Sequence, residues 1–102
     1  MRIYTTPTLS LKVKGVDIRS ADHVYVTLCN GQGTMTKDET EFTMSMSGSD
    51  TVISLVLTQE ETRLFRPNSR ASAEVNWLSD GARYATDIAN IVVQDNLLKE
   101  IL

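Results

Sequence analysis

Three features of the sequence predict an all-β fold, an immunoglobulin-like antiparallel β-sandwich of about seven strands with one short helical connection. Apolar and polar residues alternate with period two through most of the chain, as they do in strands with one buried face. Turn clusters separate these runs about every 8–12 residues: Asn30-Gly31-Gln32-Gly33, Ser47-Gly48-Ser49-Asp50 and Asp80-Gly81. One stretch, Thr58-Gln59-Glu60-Glu61, carries helix-start chemistry instead.

The elements follow in order. Over residues 8–14, Leu9, Leu11 and Val13 alternate with Thr8, Ser10, Lys12 and Lys14, and Gly15 ends the run. Over 23–30, Val24, Val26 and Leu28 alternate with His23, Tyr25, Thr27 and Cys29. A short strand is expected at 34–37 and another at 41–47, where Phe42, Met44 and Met46 share a face. In the next run, 51–57, Ile53, Leu55 and Leu57 lie on one side and Val52 and Val56 on the other. Apolar residues on both faces predict a central strand. Thr58 and Glu61 then form a capping box, each side chain able to bond the other's backbone N–H, and Pro67-Asn68-Ser69 stops the helix. A helix of one or two turns is unstable alone, so it must dock on a sheet. Ala71, Ala73, Val75 and Trp77 open the last hairpin, which turns at Asp80-Gly81 and returns over 82–94. The alternation slips over 88–93, which predicts a bulge or burial on both sides. The expected core is Leu9, Leu11, Val24, Val26, Leu28, Phe42, Met44, Ile53, Leu55, Val75 and Trp77. A small barrel is the alternative architecture.

Composition narrows the function. The 102 residues, 41% hydrophobic and 23% charged, fit a single domain spanning 1–102. A net charge of −3 gives no general attraction to nucleic acid or anionic membrane. No apolar stretch approaches the roughly 20 residues of a membrane helix, and the N-terminal residues lack the apolar core of a signal peptide. One cysteine, Cys29, cannot form an internal disulfide, and Cys29 with His23 alone cannot complete a zinc site.

No residue pattern calls for catalysis or a cofactor. His23 would need a nucleophile and an orienting carboxylate to act as a base, so it reads as a surface histidine at a strand edge. Cys29 reads as a small apolar filler rather than a reactive thiol. Asp38, Glu39 and Glu41 read as a solvated turn, since no calcium loop surrounds them. The glycine pairs match no phosphate loop. Two groups are candidates for an interface. Arg63, Arg66 and Arg70 cluster around the helix end, where the hairpin could bring Arg83 near them. Leu97, Leu98, Ile101 and Leu102 crowd one short segment solvated only by Lys99 and Glu100. They either cover the open end of the sandwich or insert into a neighbouring subunit.

The order LTQEET, VNWL, a DG turn, RYATDI and a final NLL resembles that of a family of small phage and prophage virion-associated proteins of Gram-positive bacteria. Its layout is similar to the N-terminal β-sandwich domain of siphophage baseplate upper proteins. The resemblance covers residues 4–102 and is specific at 57–62 and 75–88. Baseplate upper proteins continue into a linker and a second domain, so the resemblance implies a small virion subunit rather than the anchor of a receptor-binding module. It further implies a non-enzymatic structural role in the tail, baseplate, neck or capsid surface. The expected partners are other virion proteins and further copies of the chain, with no nucleic acid, membrane or small-molecule substrate. The place is the host cytoplasm during assembly and then the virion. The alternative class is a free-standing host-surface or carbohydrate-binding sandwich, which should expose two or three aromatics on one face.

If the capping box forms, Thr58→Ala should lower stability by about 1 kcal/mol in urea unfolding; an unchanged midpoint would mean that Thr58 caps nothing.

Overall fold

The computed structural model of the chain describes residues 1–31, 33–93, 97 and 101. Its strands are β1 (Thr8–Val13), β2 (His23–Cys29), β3 (Thr34–Asp38), β4 (Thr43–Ser47), β5 (Asp50–Val56), β6 (Ser69–Ser79) and β7 (Ala82–Val93), with the short helix α1 (Gln59–Thr62) between β5 and β6. They form two antiparallel sheets, a three-stranded one ordered β1-β5-β4 and a four-stranded one ordered β3-β2-β6-β7. The all-β sandwich with one short helix is therefore the observed fold. β5 is central in its sheet, as the apolar residues on both its faces require. The strand order differs from an immunoglobulin constant domain, where the second strand joins the sheet of the first, fourth and fifth. Here β2 lies between β3 and β6.

The buried faces follow the period. Leu11 and Val13 of β1 face Ile53 and Thr51 of β5 in register, and Val24, Val26 and Leu28 of β2 face Trp77, Val75 and Ala73 of β6. Seven of the eleven expected core residues are buried: Leu11, Val24, Val26, Leu28, Ile53, Leu55 and Val75. The other four, Leu9, Phe42, Met44 and Trp77, pack against the core from its rim and are half-buried. Met44 sits on the edge strand β4. Trp77 lies beside the β6–β7 turn, where its ring stacks on Tyr84 at a centroid distance of 5.7 Å. The core also takes Ile3, Ile18, Leu57 and Phe65.

The turns are as their residues dictate. Asp80 (φ 51°) and Gly81 (φ 78°) both adopt left-handed backbone, the requirement of a two-residue type I′ hairpin. The expected irregularity in β7 is a bulge: Ala73 pairs with Ala89 and Glu74 with Asp87, which leaves Ile88 without a partner in β6. Gly33 meets a different demand. A Cβ there would lie 2.2 Å from the Leu64 carbonyl oxygen, so only glycine lets the β2–β3 turn approach the end of α1.

The helix docks as a short helix must. Thr58 Oγ1 accepts the N–H of Glu61 at 3.2 Å, and Glu61 Oε1 accepts the N–H of Thr58 at 2.9 Å. The other Glu61 oxygen meets Lys37 Nζ at 2.5 Å. Lys37 stands opposite Val26 in the β2–β3 ladder, so it is on the core side of an edge strand and runs its apolar stem along the rim. Buried Thr62 accepts the N–H of Tyr4 and donates to the Gln59 carbonyl, both at 2.8 Å. Burial raises the pKa of Glu61, but the hydrogen bond and charge of Lys37 and the N–H of Thr58 outweigh it, and the carboxyl ends below its ordinary 4.5. A depressed carboxylate stabilises the fold above its unfolded pKa and loses that contribution as pH falls through the lower folded value. Lys37→Met should therefore flatten the loss of stability measured by urea unfolding between about pH 5 and pH 3. An unaltered slope would mean that the ion pair adds nothing.

Candidate functional site

The outward faces of the two sheets differ. On the three-stranded sheet most outward residues are small, Thr8, Ser10, Thr43, Ser45 and Ser54, with Lys12 on β1 and Val52 and Val56 on β5. On the four-stranded sheet the register places Asp38, Tyr25, Asn76 and Ala85 in one row, and Thr36, Thr27 and Glu74 in the next. His23, Leu78 and Arg83 form the row on the other side. Short residues flanked by long ones leave an open concavity of about 370 Å³, lined by Tyr25, Thr27, Thr36, Asn76, Leu78 and Arg83.

Its floor is wired by hydrogen bonds. Asn76 is only 8% exposed although it points outward. Its Oδ1 accepts from Arg83 Nε at 3.3 Å and Nη2 at 3.2 Å, and its Nδ2 donates to Glu74 Oε1 at 2.7 Å. The hydroxyls of Thr27 and Thr36 meet at 3.0 Å. The rings of His23 and Tyr25 lie side by side, tilted by 30° with centroids 6.2 Å apart.

His23 is exposed at the first position of β2, an interior strand rather than an edge. Its Nδ1 lies 2.8 Å from Glu39 Oε1, and Glu39 Oε2 accepts the N–H of Val24 at 3.3 Å. Hydrogen bonding within its own residue, then that from His23, holds the Glu39 carboxyl below its usual range. Cys29 lies six residues further along β2, about 20 Å at strand rise, so the histidine and the thiol do not meet. Cys29 is exposed rather than an apolar filler. It occupies an outward position of β2, and its Sγ accepts from the Thr34 hydroxyl at 3.2 Å. The acidic turn is a 3₁₀ turn, Glu39–Glu41, with its own capping box: Thr40 N–H donates to Asp38 at 2.9 Å and Asp38 N–H to Glu41 at 3.0 Å.

The arginines separate. Arg63 ends α1 and lines a concavity of about 400 Å³ with Thr58, Glu60, Glu61 and Leu64. Arg66 and Arg70 are exposed further along the chain. Arg83 is not near them. Arg70 and Leu78, the partner of Arg83, lie eight residues apart on β6, about 26 Å at strand rise. Of the apolar candidates, Leu97 is fully exposed and Ile101 is 42% exposed, while Leu98 and Leu102 lie outside the described residues. Ile101 lines a concavity of about 390 Å³ with Thr6, Val56, Leu57, Thr58, Gln59 and Glu60. Val56 there is 57% exposed.

Sequence reasoning missed the Tyr25–Asn76–Arg83 surface. Its residues come from three strands, and only the pairing register brings them together. A local signal did exist in Asn76, a polar residue beside Val75 and Trp77 in a strand. No family model and no curated protein matches the chain.

Proposed function

We propose that the chain is a non-enzymatic structural subunit of a phage or prophage particle, placed in the tail, baseplate, neck or capsid surface and working through protein–protein assembly. The observation that supports assembly is the apolar surface at the β5–α1 corner. Val56 and Ile101 line one concavity there, Leu64 lines the next, and all three are exposed. Glu60 borders both hollows and Arg63 the second, so apolar contact is ringed by charge, as at a subunit interface. Leu97 adds a further exposed side chain. The phage setting rests on the resemblance at residues 57–62 and 75–88, the first of which forms this same corner.

Magnitudes favour a repeated contact over a tight dimer. Each such side chain contributes about 1.5–3 kcal/mol when buried, whereas association costs at least about 4 kcal/mol in lost freedom. A handful of such residues gives weak pairing, and a particle multiplies it through copy number.

Sedimentation velocity from about 10 μM to 1 mM should show a mass rising with concentration. Truncation after Asp95 should abolish the rise and leave the melting temperature unchanged. A full chain that stays monomeric over the range and never joins a particle, or a truncated chain that no longer folds, would contradict the proposal.

A further inference from the structure

We infer that the concavity on the outer face of the four-stranded sheet, lined by Tyr25, Thr27, Thr36, Asn76, Leu78 and Arg83, is a binding site for a neutral saccharide. This stands independently of the assembly surface, which lies on β5, α1 and residue 101.

Four properties define the ligand. The first is size. About 370 Å³ is at the small end of ligand sites, which run from about 300 to 1,000 Å³, so one or two sugar rings fit and an extended polymer chain would run past it. The second is charge. Among the described residues Arg83 is the one cation lining the hollow, and Glu74 meets it through Asn76. A single cation already engaged by Asn76 gives little to a phosphate or a polyanion, which gathers several cations.

The third is the alternation of donors and acceptors. A sugar hydroxyl both donates and accepts, and neighbouring hydroxyls present these roles in pairs. The chain Arg83, Asn76, Glu74 ends in guanidinium donors on one side and carboxylate acceptors on the other. The Thr27–Thr36 pair adds hydroxyls in which either oxygen can be the donor. This array is fixed beforehand, because Asn76 is buried and bonded at both ends of its amide. Binding therefore costs little ordering of these groups. The fourth is the wall. The half-buried Tyr25 ring, extended by the neighbouring His23 ring, offers an apolar surface to the C–H face of a pyranose, and Leu78 borders the other side.

The test is an amide chemical-shift titration of the full chain with the methyl pyranosides of glucose, galactose, mannose and rhamnose and with N-acetylglucosamine, and separately with inorganic phosphate. At least one sugar should saturate with a Kd of about 1 mM or tighter. The shifts should centre on Tyr25, Thr27, Asn76 and Arg83. Tyr25→Ala and Arg83→Leu should each weaken binding at least about tenfold, while Lys12→Ala on the opposite sheet changes nothing. If either variant fails to fold, Thr36→Val on the edge strand β3 replaces it and should weaken binding in the same sense. The inference is overturned if no sugar saturates, if the shifts fall elsewhere, if the variants bind as the parent does, or if phosphate alone binds.

Discussion

The chain passes from one sheet to the other three times, and the sandwich holds only if each passage closes an open end without stranding backbone polar groups. Between β1 and β2, the Thr51 hydroxyl accepts the N–H of Ile18 at 3.1 Å and donates to the Val16 carbonyl at 2.7 Å. Ile18 is thereby turned into the core. Between β3 and β4, the Asp38–Glu41 capping box makes the turn and Phe42 packs on the rim. Between β5 and β6, the Thr58–Glu61 box makes it and Phe65 fills the core. Each passage thus pairs a side-chain-capped turn with an apolar plug. Among the described residues no buried side-chain nitrogen or oxygen lacks a partner, the condition under which such crossings cost least.

The third passage carries more than the others. Glu61 holds both the helix cap and Lys37 of the opposite sheet, Thr62 holds the backbone of Tyr4, and the Leu64 carbonyl touches Gly33. Helix, N-terminal segment and β2–β3 turn meet at this corner, which is why a four-residue helix persists there. The same corner leaves Val56, Leu64 and Ile101 exposed. Backbone paired in the sheet beneath Val56 and bonded to Glu61 beneath Leu64 presents these apolar side chains with little further ordering on binding. That links the fold to the assembly reading.

Strand positions were legible because period two is imposed by the pleat, and Val24, Val26 and Leu28 could face only one way. Depth was not legible. Alternation tells which side Trp77 takes, but not that it sits beside the Asp80-Gly81 turn with its stacking partner Tyr84 49% exposed. Ile18 and Phe65 lie in connections, where burial follows no period. Lys37 occupies a core-side position that sequence alone reads as solvent, because its partner Glu61 lies 24 residues away. The helix was legible because a capping box is a local device. The Arg63 and Leu64 surface was half legible through its arginine. The Tyr25–Asn76–Arg83 hollow was not, since sheet order is set by which strands pair and no local pattern records it.

Assembly through the β5–α1 corner should leave a footprint on the backbone there. Hydrogen–deuterium exchange of the full chain at low and high concentration tests it directly. Concentration-dependent protection is expected at the amides of Val56, Leu57, Gln59 and Glu60, with the outer face of the four-stranded sheet unchanged. Protection confined to β2, β6 and β7, or none at any concentration, would contradict it.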